Sequence, residues 1–176
     1  MSDFKSLSTN DPNTGLFTYA QIDHLMKVEF ARARRYRLPL AFVVLVVDRL
    51  DDMMRNFGYK ARDLVLERFQ QILRRESRVC DYLGRFTDDR VLLLLPHTDA
   101  EGARIIVNRI RRIVGSQEFE FEGKAFRVTL SAGISQYRDG NTLFYDTVRD
   151  TAERAAERAS TVGDNVAIVE ASQGSS

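Results

Sequence analysis

Two aspartates and an arginine stand at the tip of an apparent hairpin. The stretch YLGRFTDDRVLLLLP, Tyr82 to Pro96, reads as a strand, a tight turn and a second strand, with Asp88, Asp89 and Arg90 where a turn alone would suffice. Carboxylates at strand ends can ligate a hard divalent cation through oxygen, so the tip reads as an active centre, the remnant of one, or a plain turn. A further carboxylate, Asp48, ends the apolar run LPLAFVVLVVD, and two-residue alternation puts it on the same strand face as Val46. Just ahead of the hairpin, Arg78 and Asp81 are spaced three apart, either as a paired donor and acceptor or as an exposed ion pair of little worth.

Composition narrows the chemistry. Lys plus Arg number 26 against 25 Asp plus Glu, a formal net charge of +1, which gives no global field for nucleic acid or an anionic membrane. The single cysteine, Cys80, excludes an internal disulfide and reads as a small buried filler. His24 and His97 have no zinc spacing, and no metal site is expected. The longest apolar run is too short to span a bilayer, and the N-terminus has no apolar leader, so a cytoplasmic setting is expected.

The elements that must position these groups follow from periodicity. Thr18 caps a helix with Ile22, Leu25, Met26 and Phe30 at helical spacing. LAFVVLVVD suits a central strand buried on both faces. The next helical stretch breaks at Phe57-Gly58, and after the hairpin a helix runs from an aspartate cap to Gly115. FEFEGKAFRVTLSAGISQY alternates as two strands about Glu122-Gly123, with Phe119 and Phe121 as core or dimer contacts, then an alanine-rich helix ends at Gly163 before a short strand, VAIVE. The run Arg109 to Arg112 reads as a mostly solvated helix face. Helices and strands in this order predict an α+β sandwich, a central, mostly antiparallel sheet covered by helices. The expected organisation is a flexible segment over residues 1–14, one domain over 15–170 and a disordered tail over 171–176.

Several strings in this order resemble the GGDEF domain of bacterial diguanylate cyclases, which condense two GTP molecules into cyclic di-GMP on a palm-like fold. They are DPNTGLF, FARARRYRLPLAFVVLVVD, FGYKARDLVL, the hairpin, VTLSAGIS and Gly163-x-Asn165, together covering roughly residues 11 to 169. Counting from the strands, the resemblance sets Thr87-Asp88-Asp89-Arg90-Val91 where the family signature stands, and only Asp89 matches. It also implies that Val46 and Arg90 occupy metal-ligand positions. Met54 and Asp63 fall on the guanine-reading pair, and Ser160 and Asp164 on the triphosphate clamps. An arginine cannot ligate Mg²⁺ and a valine offers no oxygen, so the resemblance with these replacements predicts no catalytic residues and lost diguanylate cyclase activity.

The family's inhibitory product site, Arg-x-x-Asp, falls on Arg78-Val79-Cys80-Asp81. Arginine can fork onto guanine O6 and N7, and a carboxylate can accept from guanine N1 and N2. Two further arginines of that site fall on Arg109 and on Arg32, the latter used from a second subunit. The resemblance thus implies a cyclic di-GMP receptor with no bound cofactor, a ligand-promoted homodimer and room for a protein effector. A ligand-free interaction or dimerisation module on the same fold is the alternative.

Overall fold

The computed structural model describes residues 16–87, 89–138 and 144–169; Asp88 and both terminal segments expected to be loose, 1–14 and 171–176, lie outside the described residues. The elements run α1 (Tyr19–Tyr36), β1 (Leu40–Val47), α2 (Leu50–Phe57), α3 (Tyr59–Glu76), β2 (Tyr82–Thr87), β3 (Arg90–Pro96), α4 (Ala100–Ser116), β4 (Phe119–Phe121), β5 (Lys124–Phe126), β6 (Leu130–Tyr137), α5 (Tyr145–Val162) and β7 (Val166–Ile168).

Local chemistry sets the boundaries. The Gln21 side chain accepts from the Thr18 backbone N–H at 3.0 Å, which satisfies a donor at the start of α1. Gly58 takes φ +87°, a conformation costly for any residue with a Cβ, and so divides α2 from α3 where the sequence predicts a break. Asp99 caps α4 by accepting from the Gly102 N–H at 2.8 Å. Gly163, at φ +82°, ends α5.

Five strands form one sheet in the order β2-β3-β1-β6-β7, every pairing antiparallel except β6 with β7. The expected mixed, mostly antiparallel sheet is therefore present. All eight residues of β1 are buried. Ala41, Val43, Leu45 and Val47 share a core with α3 and α4, including Val65, Phe69, Val107 and Ile110. Leu40, Phe42, Val44 and Val46 face the other way, onto Ile22, Met26 and Phe30 of α1 and Val148, Ala152 and Ala156 of α5. Each such aliphatic side chain contributes about 1.5–3 kcal/mol on full burial. The alanines of α5 have a further purpose, because a Cβ on Gly133 of β6 would lie 2.0 Å from the Ala152 carbonyl oxygen and 2.2 Å from the Ala156 nitrogen. That helix rests directly on the strand backbone.

Two expectations need correction. The stretch after α4 makes three strands: β4 and β5 pair as a separate hairpin, and β6 begins only at Leu130. The break separates Phe119 and Phe126, stacked at 5.6 Å and with Phe126 on Phe57 at 4.6 Å, from the central sheet, so the aromatic side chains pin the small hairpin to the helices. Cys80 is exposed rather than a buried filler, because it sits on the outside of the turn between α3 and β2.

Candidate functional site

The sheet has two ends, and the candidate residues divide between them. One end gathers the start of β1, the close of β3 and the start of β2, since Leu40 pairs with Pro96 and Tyr82 with Leu94. The other gathers Arg90 and Ser131 on either side of Val46, which is the register partner of each.

At the first end the chain leaves α3 and turns through Arg78–Asp81, closed by the Asp81 N–H donating to the Arg78 carbonyl at 3.0 Å. Asp81 has no exposed side-chain surface, and its carboxylate accepts from the Arg78 backbone N–H at 2.8 Å, from Nη2 at 3.1 Å and from Nε at 3.4 Å. The carboxylate thus grips one edge of the guanidinium from behind, and these hydrogen bonds hold Arg78 protonated more firmly than usual against the opposing effect of burial. Arg78 itself is about half exposed, at 48%. Its pair with Asp81 is not the loose surface contact allowed by the spacing, and with the Asp81 side chain turned inward the charge this pair presents to solvent is that of arginine.

Arg109 reaches the same place from α4. Its Nε pairs with the Glu76 carboxylate at 3.0 Å and its Nη2 donates to the Glu76 carbonyl at 3.0 Å, two residues before Arg78. A cation over the last carbonyls of α3 is favoured by the helix dipole. Arg32 lies on α1, across the sheet from α4, where it donates to the buried Glu29 at 2.8 Å. The Tyr82 hydroxyl, next in sequence to Asp81, also donates to Glu29 at 3.2 Å; burial first and the Glu29 charge second push that phenol upward. Arg78 and Arg109 therefore share one surface, whereas Arg32 belongs to the opposite layer.

At the second end, Arg90 donates to Glu153 at 3.1 Å and Glu157 at 3.2 Å, both on α5. Thr87 donates to Asp89 at 2.8 Å across the tip, while Asp88 lies outside the described residues. Asp48 is buried, its Oδ2 accepting from Thr129 Oγ1 at 2.8 Å and from the Asp164 N–H at 2.8 Å, and its Oδ1 has no partner. Asp164 is drawn away toward α4 by Arg111, whose Nη2 donates to both its carboxylate and its carbonyl. Arg111, with further bonds to Asn108 and the Leu130 carbonyl, is a partly buried brace and departs from the solvated face expected of Arg109–Arg112. Met54 is half-buried on α2 and Asp63 exposed on α3, and Ser160 donates to the Glu157 carbonyl. Among the described residues no three His, Cys, Asp or Glu side chains converge as a metal group, and the side chains of Val46 and Arg90 carry no oxygen with which to ligate a divalent cation.

Sequence spacing did not single out Glu76, Glu29 or Thr98, which hold Arg109, Arg32 and Arg78 in turn, nor Tyr82, which donates to Glu29. Glu76 and Thr98 act across 33 and 20 residues of chain and Tyr82 across 53, which leaves no local pattern, whereas Glu29 stands three residues before Arg32 on α1, a spacing that could have been read. Among the described residues no helix is long and apolar enough to cross a membrane.

Residues 8–166 match the family described as "Diguanylate cyclase, GGDEF domain". Diguanylate cyclase DgcP of Pseudomonas aeruginosa is 31% identical over 163 residues, 93% of this chain and 24% of that protein. Diguanylate cyclase A of Treponema denticola is 26% identical over 66% of this chain and 31% of its own length. This chain thus spans about a quarter to a third of these relatives. Among solved structures, diguanylate cyclase SiaD of P. aeruginosa, in complex with its activator SiaC, superposes with a TM-score of 0.86 at 27% identity, over 94% of this chain and 64% of SiaD. The GGDEF domain of DgcB from Caulobacter crescentus, in complex with c-di-GMP, superposes at 0.85 over 91% of this chain and 92% of its own, with 18% identity, and shows the fold alone. These names correct the expectation of lost enzymatic activity: the curated relatives are diguanylate cyclases, which points to an enzyme. Replacements counted along a strand describe which side chains stand at a site; they do not measure turnover.

Proposed function

Because the chain belongs to the GGDEF family of diguanylate cyclase domains, we propose that it is a cyclic di-GMP signalling domain that binds the dinucleotide on the surface carrying Arg78 and Arg109. The observation that carries this reading is the Arg78 guanidinium, half exposed yet fixed from behind by Asp81, beside an Arg109 anchored at the same helix end. A fixed planar donor suits the N7/O6 edge of guanine and can stack on its face, and a second cation offsets the phosphodiesters. The c-di-GMP complex of the similarly folded DgcB domain supports the choice of ligand.

Arg32 lies on the opposite layer, so its natural use is toward a dinucleotide held by a second copy, giving a ligand-promoted homodimer. The SiaD complex with SiaC supports a protein effector as a further partner, and the fully exposed Val79 within the Arg78–Asp81 turn offers such a partner an apolar contact.

Calorimetric titration with cyclic di-GMP, alongside light scattering and an assay of GTP turnover, tests the reading. Arg78→Ala is expected to lose roughly five- to over a hundred-fold in affinity, the worth of about 1–3 kcal/mol for a guanine contact. Arg32→Ala is expected to keep binding and lose ligand-induced dimerisation. Wild-type affinity in Arg78→Ala refutes the site.

A further inference from the structure

We infer that Thr98 is a positioning residue for Arg78, fixing the guanidinium plane from the turn between β3 and α4; the consequence for ligand binding rests on the reading of Arg78 given above. Thr98 is buried, and its hydroxyl donates its one proton to the Pro96 carbonyl at 3.0 Å. A lone pair is thereby aimed outward, and Arg78 Nη2 donates to it at 2.6 Å across twenty residues of sequence. The Thr98 methyl is held against the first turn of α4, where a Cβ added to Gly102 would lie 3.0 Å from Cγ2, so the rotamer that presents the hydroxyl is fixed by packing.

The two protons of Nη2 are now spoken for, one by Asp81 and one by Thr98, while Nε also donates to Asp81. Gripped on two edges, the guanidinium is held back from rotating about its Nε–Cζ bond and from swinging on its stem. The donors that neither Asp81 nor Thr98 engages are those of Nη1. A ligand meeting this group does not bear the cost of ordering a long side chain, which is how positioning becomes affinity.

Thr98→Val keeps the shape and removes the acceptor, whereas Thr98→Ser keeps the acceptor. Side-chain ¹⁵N–¹H spectra, with the Arg78 signals identified by their loss in Arg78→Ala, report guanidinium rotation without any ligand. Rotation is expected to be slow in the wild type and Thr98→Ser and fast in Thr98→Val. In calorimetry with cyclic di-GMP, Thr98→Val is expected to bind roughly three- to tenfold more weakly and Thr98→Ser like the wild type, with no further loss when Thr98→Val is added to Arg78→Ala. Unchanged Arg78 signals in Thr98→Val, or added loss in the double variant, overturn the inference. A wild type that binds no cyclic di-GMP but shows Arg78 released by Thr98→Val supports the positioning and removes the ligand reading instead.

Discussion

Replacing Arg90 with alanine removes a cross-link from the hairpin tip to α5 that runs through two carboxylates. The Arg90 side chain is 22% exposed, Glu153 30% and Glu157 53%, so water screens the pairs partially and unequally. For the less exposed Glu153 pair a contribution of about 0.5–1 kcal/mol is reasonable, and for the Glu157 pair about 0.2–0.5 kcal/mol. The sum, near 1 kcal/mol, corresponds to a fall of about 2–4 °C in Tm for a domain of this size. Urea unfolding of Arg90→Ala, Glu153→Ala and the double variant isolates the pair, with an expected coupling of about 0.5–1 kcal/mol that shrinks as salt shortens the Debye length. The Arg90→Glu variant, which sets like charges together, is expected to lose about twice as much and to recover in part on adding Glu153→Lys. A coupling indistinguishable from zero at low salt refutes the brace, and with it the argument that the hairpin tip and α5 are energetically one unit.

Asp48→Ala leaves the Asp164 N–H and the Thr129 hydroxyl without their acceptor and is expected to cost about 2–5 kcal/mol, while Asp48→Asn keeps an acceptor, removes a buried charge and is expected to stay within about 1 kcal/mol of wild type; equal losses in denaturant melts would show that the charge itself is required. Gly133→Ala drives a methyl into α5 backbone and is expected to cost about 3 kcal/mol or more, so a melting point unchanged within experimental scatter contradicts the close approach. Burial pushes the Asp23 carboxyl upward, but hydrogen bonds from Lys27 and Tyr145 and the charges of Lys27 and Arg149 outweigh it and leave the pKa below its ordinary 3.8. A depressed carboxyl stabilises the fold above its unfolded pKa and loses that contribution as pH falls through the folded one, so Tyr145→Phe is expected to flatten the acid limb of the stability curve below about pH 4, and an unchanged limb rejects the network.

The fold was legible because its signals are local. An eight-residue apolar run, short and β-branched, reads as a doubly covered strand; Gly58 and Gly163 end helices by backbone geometry, and Asp99 starts one with its side-chain oxygen. The split between β5 and β6 escaped because alternation continues through Arg127–Thr129, and nothing in a period of two says which neighbour a strand will choose. At the site, the residue types Arg78 and Asp81 could be found by spacing, but the inward turn of Asp81 could not, since it depends on the reverse turn in which its carboxylate accepts from the Arg78 N–H, and the hold on Arg78 comes in part from a threonine twenty positions further on. Cys80 was misplaced for the same reason: burial follows the direction of a turn, which composition does not encode.

Phe17 sits just ahead of α1 and exchanges two backbone hydrogen bonds with the edge strand, its N–H to the Leu83 carbonyl at 2.9 Å and its carbonyl from the Arg85 N–H at 2.8 Å. The bridge is parallel and straddles Gly84, where any side chain would strike Ile22. Force applied along the chain before α1 therefore does not reach the helix first. It loads β2 in shear, with both bonds bearing tension together. That strand runs from the Arg78–Asp81 turn to the aspartate-bearing tip, so a load taken at Phe17 falls on the one strand that joins these two places, as a bell rope joins hand and clapper.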